Sequence, residues 1–169
     1  LFSGSIAQNI RMGKANATDD QVMQAVQQAG ITEMLARLPD GLESMVGEGG
    51  VRLSGGERQR ITIARALIKD APILLVDEAT AALDAENQAI ICELLNRLRG
   101  QKTILVIAHQ LSTIAAADHI AVLEKGRVIE QGTPAQLRLL HGHYARYLAQ
   151  GQAVKGWRLG KNVQVGEHA

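Results

Sequence analysis

The stretch from Leu53 to Asp84, LSGGERQRITIARALIKDAPILLVDEATAALD, constrains the fold of this chain more than any other part of it. A glycine-rich turn opens a helix pattern that has one apolar face. Pro72 ends this helix, and the apolar run that follows closes with the carboxylates of Asp77 and Glu78. A continuous apolar run bounded by turn signals is typical of a strand buried on both faces of a parallel sheet. The stretch therefore predicts a helix whose N-terminus can bind an anion, next to a strand that ends in two carboxylates.

Helix and strand patterns alternate after this stretch. Thr103 to Ala108 is a second apolar run and predicts a second buried strand. Two further strands, at 119–123 and 127–131, flank Glu124-Lys125-Gly126, which predicts a hairpin turn. This alternation predicts an α/β core with parallel strands. Helices are predicted after Ser3 or Ser5, at 18–30, 32–38, 56–68, 87–98, 112–117 and 143–150, and from Thr133-Pro134 onward.

The first part of the chain, by contrast, carries helix patterns almost throughout. We therefore expect a domain over residues 1–150, with a helical subdomain at about 1–70 and a sheet part at about 71–150. Residues 151–169 are rich in glycine and polar side chains, and we expect them to form a loose tail.

Composition excludes several classes of protein and site. Hydrophobic residues make up 46% of the chain and aromatic residues only 2%, so the core has to be aliphatic. A net charge of +1 gives no overall field that would attract nucleic acid or anionic lipid, and we expect no nucleic-acid partner. The single cysteine, Cys92, excludes an internal disulfide and a cysteine-based zinc site.

The longest apolar runs, Ile73–Val76 and Ile104–Ala108, are far shorter than the roughly 18–20 residues that cross a bilayer. No signal-peptide pattern is present. We therefore expect no direct membrane insertion by this segment. Because the chain starts at Leu1 within an apolar phrase, and not at Met, we interpret it as a fragment of a longer protein whose membrane part would lie upstream.

Ser54-Gly55-Gly56 precedes the helix predicted at 56–68. Two glycines let backbone N–H groups approach an anion closely, and the helix N-terminus carries about half a positive charge, so a phosphate is favoured there. Arg58 and Arg60 add positive potential. Taken alone, the same three residues are more typical of an ordinary N-capped turn.

Polar residues follow both predicted parallel strands. Asp77 and Glu78 end the first strand, where one carboxylate can hold Mg²⁺ and the other can orient a water. His109 ends the second strand and can contact a terminal phosphate at the same sheet edge. The alternatives are a solvated strand end and a surface histidine. Asp84 lies in the loop after the carboxylates, as a contact across an interface or as the N-cap of the next helix.

The joint order of these motifs is more specific than any one of them. LSGGERQR, LLVDE, AALD and a histidine at the next strand end closely resemble the nucleotide-binding domain of ATP-binding cassette (ABC) proteins. The resemblance covers about residues 1–150. The phrases LFSGSIAQNI and VGEGGVRLSGG are similar to those of the exporter-type branch.

The resemblance implies a nucleotide site shared between two domains. Leu53–Arg60 corresponds to the signature motif, which closes over ATP held by a second domain of the same kind, and Ala81–Asp84 corresponds to the D-loop. The residues implied to contact that partner's nucleotide are Ser54, Gly55, Gly56, Glu57 and Asp84.

The resemblance also implies catalytic residues that act on a nucleotide held by the chain itself. Ile73–Glu78 corresponds to the Walker B strand, with Asp77 at the Mg²⁺ site and Glu78 as the catalytic base. His109 corresponds to the switch histidine. The implied cofactors are ATP and Mg²⁺.

One motif of the family is missing. No GxxxxGK(S/T) occurs in the 169 residues, because Gly13-Lys14 is followed by Ala15 and Gly160-Lys161 by Asn162. The expected fold is therefore a partial P-loop NTPase (RecA-like) parallel sheet with an ABC-type helical subdomain, in which the P-loop strand is missing. By resemblance, that strand would lie between those at 103–108 and 119–123, and its absence leaves an unpaired edge.

The function implied by the resemblance is the ATPase part of an exporter-fold ABC transporter, at the cytoplasmic face of the inner membrane. Its partners would be a second nucleotide-binding domain and an upstream transmembrane domain. Without a P-loop, the isolated chain is expected to hydrolyse ATP negligibly. Two alternatives stay open: a catalytically dead fragment, and a non-transport ABC ATPase of the translation or DNA-repair type. The transported compound and the direction of transport are not encoded here.

Overall fold

The computed structural model describes residues 1–77, 83–108, 113–114 and 116–150. The chain divides into two compact units, with the division between residues 108 and 109. The predicted boundary between a helical and a sheet part near residue 70 lies inside the first unit and stays a prediction. The predicted tail at 151–169 lies outside the described residues.

The first unit begins with four helices, and local capping signals set the starts of three of them. Ser5, Thr18 and Ser54 each form a capping box with the residue three positions later, which satisfies N–H groups that the first helical turn cannot. Of the two candidates at the N-terminus, the cap is Ser5. The helices are α1 (Ile6–Arg11), α2 (Asp19–Gln28), α3 (Thr32–Ala36) and α4 (Gly55–Ile68), with short 3₁₀ turns at Gly41–Glu43 and Glu48–Gly50.

The core of these helices is aliphatic, as the composition predicts. α1 and α2 both pack against α4. A polar link adds to this packing, because the Arg65 guanidinium donates to the backbone carbonyl oxygen of Asn9 at 2.7 Å and to its side-chain oxygen at 2.6 Å. The fully buried aliphatic side chains of this part are Ile6, Ile10, Val22, Val26, Ile31, Val46 and Ile61.

A parallel β–α–β unit follows, made of β1 (Ile73–Asp77), α5 (Ala85–Arg97) and β2 (Thr103–Ile107). The two strands pair in parallel from Ile73 opposite Thr103 to Asp77 opposite Ile107. The predicted α/β class with a parallel sheet is thus confirmed, and β1 has the predicted bounds.

The prediction that both strands are buried on both faces is wrong. Leu74 and Val76 belong to the core, whereas Ile73, Leu75, Leu105 and Ile107 are exposed. Side chains alternate across a strand, and the helices of the described chain cover only one face of this sheet. An apolar run shows that a strand favours burial. Whether a face is buried depends on other elements that pack against it.

The second unit contains an antiparallel hairpin of β3 (Ile120–Glu124) and β4 (Arg127–Gly132). Its turn has positive φ at both Lys125 and Gly126, as a type I′ turn requires, so the predicted hairpin is confirmed. Helix α6 (Pro134–Leu139) is N-capped by Thr133, as predicted.

A last helix, α7, covers residues 143–150, where the sequence predicts it. The carboxylate of Glu130 on β4 accepts hydrogen bonds from the backbone N–H groups of His143 and Tyr144 at its start. The helix predicted at 112–117 lies partly outside the described residues.

Sheet pairing within the described chain is limited to two pairs of strands, β1 with β2 and β3 with β4. In the described ranges, no helix is both long and apolar enough to cross a membrane.

Candidate functional site

The N-terminus of α4 is held by reciprocal hydrogen bonds. The Ser54 hydroxyl oxygen accepts from the Glu57 backbone N–H at 3.2 Å, and the Ser54 N–H donates to the Glu57 carboxylate at 2.8 Å. The N-cap interpretation of Ser54 is therefore confirmed. Gly55 and Gly56 occupy the first two helical positions, where backbone N–H groups have no acceptor within the helix. These groups and the helix dipole are the features that can attract an anion.

The two glycines have different surroundings. A Cβ built on Gly56 would lie 2.0 Å from the side-chain oxygen of Asn87 on α5, so α5 approaches closely enough to require a glycine there. A Cβ on Gly55 would meet nothing nearer than Leu83, at 3.5 Å. Gly56 therefore has a packing role that the sequence did not reveal, while a methyl group at Gly55 would make only ordinary van der Waals contacts.

Glu57 lies at the same helix end and is partly buried. Burial raises the pKa of its carboxyl, but the hydrogen bonds from Ser54 and the charges of Arg37 and Arg60 outweigh burial, and the pKa lies below its usual value. Glu57 is therefore a charged part of the capping box. Its interaction with the dipole of α4 is favourable, because the positive end of a helix is its N-terminus.

The two arginines of the signature stretch are both engaged with the protein. The Arg58 guanidinium donates to the backbone carbonyl of Leu53. Arg60 is only 9% exposed, and its Nη1 lies 3.3 Å from the side-chain oxygen of Asn87. Their charges add positive potential near α4, but neither side chain extends freely from the helix start.

Asp84 is the N-cap of α5, which confirms the second interpretation of that residue. Its carboxylate accepts from the Asn87 backbone N–H at 2.8 Å and from the Asn87 side-chain amide at 2.9 and 3.1 Å. These backbone and side-chain hydrogen bonds hold the pKa of Asp84 below its usual value. The side chain is exposed, and its contact across an interface stays a prediction.

Asp77 ends β1 with an exposed side chain, opposite Ile107 of β2. Its oxygen ligands suit Mg²⁺, which commonly binds one or two carboxylates and keeps several waters. The described residues contain no group of three or more His, Cys, Asp or Glu side chains that could hold a metal. Glu78 and His109 lie outside the described residues, so their predicted roles stay predictions.

Asn87 is the residue of this region that the sequence reasoning missed. It lies beside Gly56, Arg60 and Asp84 and so joins the starts of α4 and α5. A local signal was present, since Asn87 stands three positions after the N-cap, where polar side chains often complete a cap. Its contacts with α4 are not visible in the local sequence.

Comparison with known proteins gives consistent matches. The family model described as ABC transporter matches residues 2–81. The chain is 51% identical over 146 residues to the ATP-dependent lipid A-core flippase of Xanthomonas campestris pv. campestris, which covers 86% of this chain and 25% of that protein. It is 44% identical over 164 residues to the mycobactin import ATP-binding/permease protein IrtB of Mycolicibacterium thermoresistibile, covering 97% of this chain and 28% of that protein.

A solved structure of an ABC exporter also matches this chain. The structure of a bacterial Atm1-family ABC exporter with ATP bound matches with a TM-score of 0.81 and 41% sequence identity, over 99% of this chain and 27% of that chain. The chain thus spans about a quarter of the length of the curated relatives it matches.

Proposed function

Because the chain belongs to the ABC transporter family, we propose that it is the ATP-binding and ATP-hydrolysing portion of an exporter-fold ABC transporter, which couples hydrolysis to transmembrane transport. One observation carries the proposal: α4 begins at two glycines behind a Ser54 cap, inside the segment that matches the family model. Such a helix start offers N–H groups and positive potential to a phosphate.

The start of α4 serves a nucleotide held by a second nucleotide-binding domain. In this proposal Ser54, Gly55, Gly56 and Glu57 face that nucleotide, and Asp84 reaches across the same interface. The partial exposure of Gly55 and the exposure of Asp84 support this arrangement, because both residues are accessible to a partner.

The end of β1 serves the chain's own nucleotide. Asp77 would hold Mg²⁺, Glu78 would act as the catalytic base, and His109 would contact the terminal phosphate. Mg²⁺, when bound, would neutralise charge on the phosphate oxygens. The exposed carboxylate of Asp77 at the carboxyl end of a parallel strand supports its role, since ligands of such sheets bind at that edge.

The isolated chain is proposed to hydrolyse ATP negligibly. The P-loop supplies the backbone N–H cradle and the lysine that hold the phosphates, and no such motif occurs in these 169 residues. A chain with only the remaining groups lacks the means to fix ATP in place for attack.

The proposed partners are a second nucleotide-binding domain and a transmembrane domain, with the chain at the cytoplasmic face of the inner membrane. The names of the two relatives mention different compounds, lipid A-core and mycobactin, at similar levels of identity. We therefore assign neither a substrate nor a direction of transport.

Nucleotide-dependent association tests this proposal. The chain is mixed with the ATP-binding domain of the Atm1-family exporter, and sedimentation velocity is recorded with and without a non-hydrolysable ATP analogue and Mg²⁺. We expect a complex only with nucleotide, and no steady-state ATP hydrolysis by the chain alone. Association that ignores the nucleotide would contradict the proposed role of α4, and hydrolysis by the chain alone at the rate of an intact domain would contradict its inactivity.

A matched pair of variants locates the contact. Gly55→Glu places a carboxylate at the start of α4, where it repels phosphate but is compatible with the helix dipole. Ala66→Glu adds the same charge at an exposed position later on the helix. We expect the first variant to abolish the nucleotide-dependent complex and the second to retain it. Equal binding by both would place the nucleotide elsewhere.

A further inference from the structure

The side-chain amide of Asn87 lies between two opposite charges. Its oxygen accepts from Arg60 Nη1 at 3.3 Å, and its nitrogen donates to the two Asp84 carboxylate oxygens at 3.1 and 2.9 Å. The oxygen end thus faces a cation and the nitrogen end an anion, so both ends of the amide dipole are favourably placed. This one side chain connects a residue of α4 with the N-cap of α5.

Arg60 depends on this contact. It is 9% exposed, and its Nε has no hydrogen-bond partner among the described residues. A buried guanidinium that lacks acceptors is costly, and removing an acceptor from it costs more than the same change at the surface. The hydrogen bond from Arg60 to the Asn87 oxygen therefore holds these two side chains together.

Gly56 brings Asn87 directly against the backbone of α4. The Cβ that glycine lacks would lie 2.0 Å from the Asn87 oxygen and 2.4 Å from its Cγ. The amide fills the place of a side chain at the second position of the helix. Contacts with Gly56, Arg60 and Asp84 together fix where α5 begins relative to the first turn of α4.

We propose that Asn87 is a positioning residue, which holds the Ser54–Gly56 turn and Asp84 in one arrangement so that both can meet the nucleotide of a partner domain. The inference rests on the proposed function. Asn87 itself touches no nucleotide in this proposal. It acts through the residues on either side of it, and its loss displaces two nucleotide contacts at once.

Two substitutions separate positioning from folding. Asn87→Ala removes the amide and both of its hydrogen bonds. Asn87→Asp keeps an acceptor for Arg60 and places an acidic residue in a first helical turn, which favours the helix, but it sets a second carboxylate against Asp84. Asn87→Asp should therefore fold well while its connection to Asp84 is lost. Asn96→Ala and Asn96→Asp make the same changes at an exposed position near the end of α5 and serve as controls.

The test measures the nucleotide-dependent association of each variant with the ATP-binding domain of the Atm1-family exporter, using the non-hydrolysable ATP analogue and Mg²⁺. Urea unfolding midpoints are recorded in parallel. We expect both Asn87 variants to bind about tenfold more weakly than wild type, a change of roughly 1.4 kcal/mol. We expect the Asn87→Asp midpoint to stay close to wild type, and the Asn96 variants to bind like wild type.

The outcomes distinguish the inference from the function on which it rests. If wild type shows no nucleotide-dependent complex, the proposed function fails and the inference with it. If wild type binds and Asn87→Asp, folded, binds as tightly as Asn96→Asp, the function stands and the inference is overturned. If weaker binding by the Asn87 variants only parallels a lower unfolding midpoint, Asn87 is structural and the inference is likewise overturned.

Discussion

The four helices α1–α4 and the strand pair β1–β2 both carry aliphatic side chains but bury them to very different extents. Among the helices, side chains such as Ile10, Val26 and Ile61 are completely buried. In the strands, Leu75 is 71% exposed, although it stands in the middle of an apolar run. The helices pack against one another, whereas the strands are covered on one face only.

This difference shows what an apolar pattern does and does not determine. The pattern gives the preference for burial, which is roughly proportional to apolar area. Whether burial is achieved depends on a second surface. The helices of the cluster cover one another, whereas no element of the first unit packs on the open face of the strand pair. The two regions should therefore respond differently to the same kind of mutation.

The largest expected effect comes from truncating matched aliphatic side chains in the two regions. Ile61→Ala leaves a cavity among the helices, and we expect the free energy of unfolding to fall by about 2–5 kcal/mol. Leu75→Ala removes a side chain that is mostly in water, and we expect a change within about 0.5 kcal/mol. Urea unfolding of both variants measures the two values.

The contrast between these variants is itself the control. A cost for Leu75→Ala close to that of Ile61→Ala would mean that the open face of the sheet is covered in solution, by self-association or otherwise. The measurement is therefore repeated over a range of protein concentrations, because stabilisation by association depends on concentration.

A smaller effect is expected at the junction between the helix cluster and α5. Gly56→Ala brings a methyl group against the Asn87 amide, which is itself held by Arg60 and Asp84, so the clash cannot be relieved cheaply. We expect a loss of about 1–3 kcal/mol in the free energy of unfolding. Gly55→Ala has room for its methyl group and should change stability by less than about 0.5 kcal/mol.

The comparison of Gly55→Ala with Gly56→Ala shows whether the start of α5 is packed as tightly as the helices α1–α4 or covered as loosely as the strands β1 and β2. Equal tolerance of alanine at Gly55 and Gly56 would mean that α5 moves away from α4 at little cost. The tight contact would then be no more than one of several arrangements of these helices.

Local signals explain most of what could be predicted from the sequence. The bounds of β1 and the helix starts at Thr18 and at Thr133-Pro134 are set by residues within a few positions, and the structure has them where the sequence predicts them. The exposed face of β1 and β2 could not be predicted, because it depends on which other elements are present to pack against it.

The candidate site shows the same limit. Ser54 and Asp84 could be interpreted as caps because their partners lie three residues away. Asn87 could not be placed beside α4, since its contact with Arg60 spans 27 residues and forms only when two helices pack. The ABC-type motifs indicated which residues matter, but the contacts that hold them in place required the structure.

The smallest expected effect is electrostatic and concerns Glu57 at the start of α4, one of the well-packed helices. The pKa of Glu57 is lowered from an ordinary value of 4.5, because hydrogen bonds from Ser54 and nearby arginines outweigh burial. A lowered pKa means that the ionised form stabilises the folded state. This stabilisation is complete above the ordinary value and is lost as pH falls through the lowered value in the folded protein.

Glu57→Gln keeps a hydrogen-bond acceptor for the capping box but removes the charge. We expect wild type to lose about 0.3–1 kcal/mol more stability than this variant between about pH 7 and about pH 3, as measured by urea unfolding at both values. Equal losses by Glu57→Gln and wild type would show that the capping box acts through its hydrogen bonds alone. The start of α4 would then be fixed by hydrogen bonds and packing.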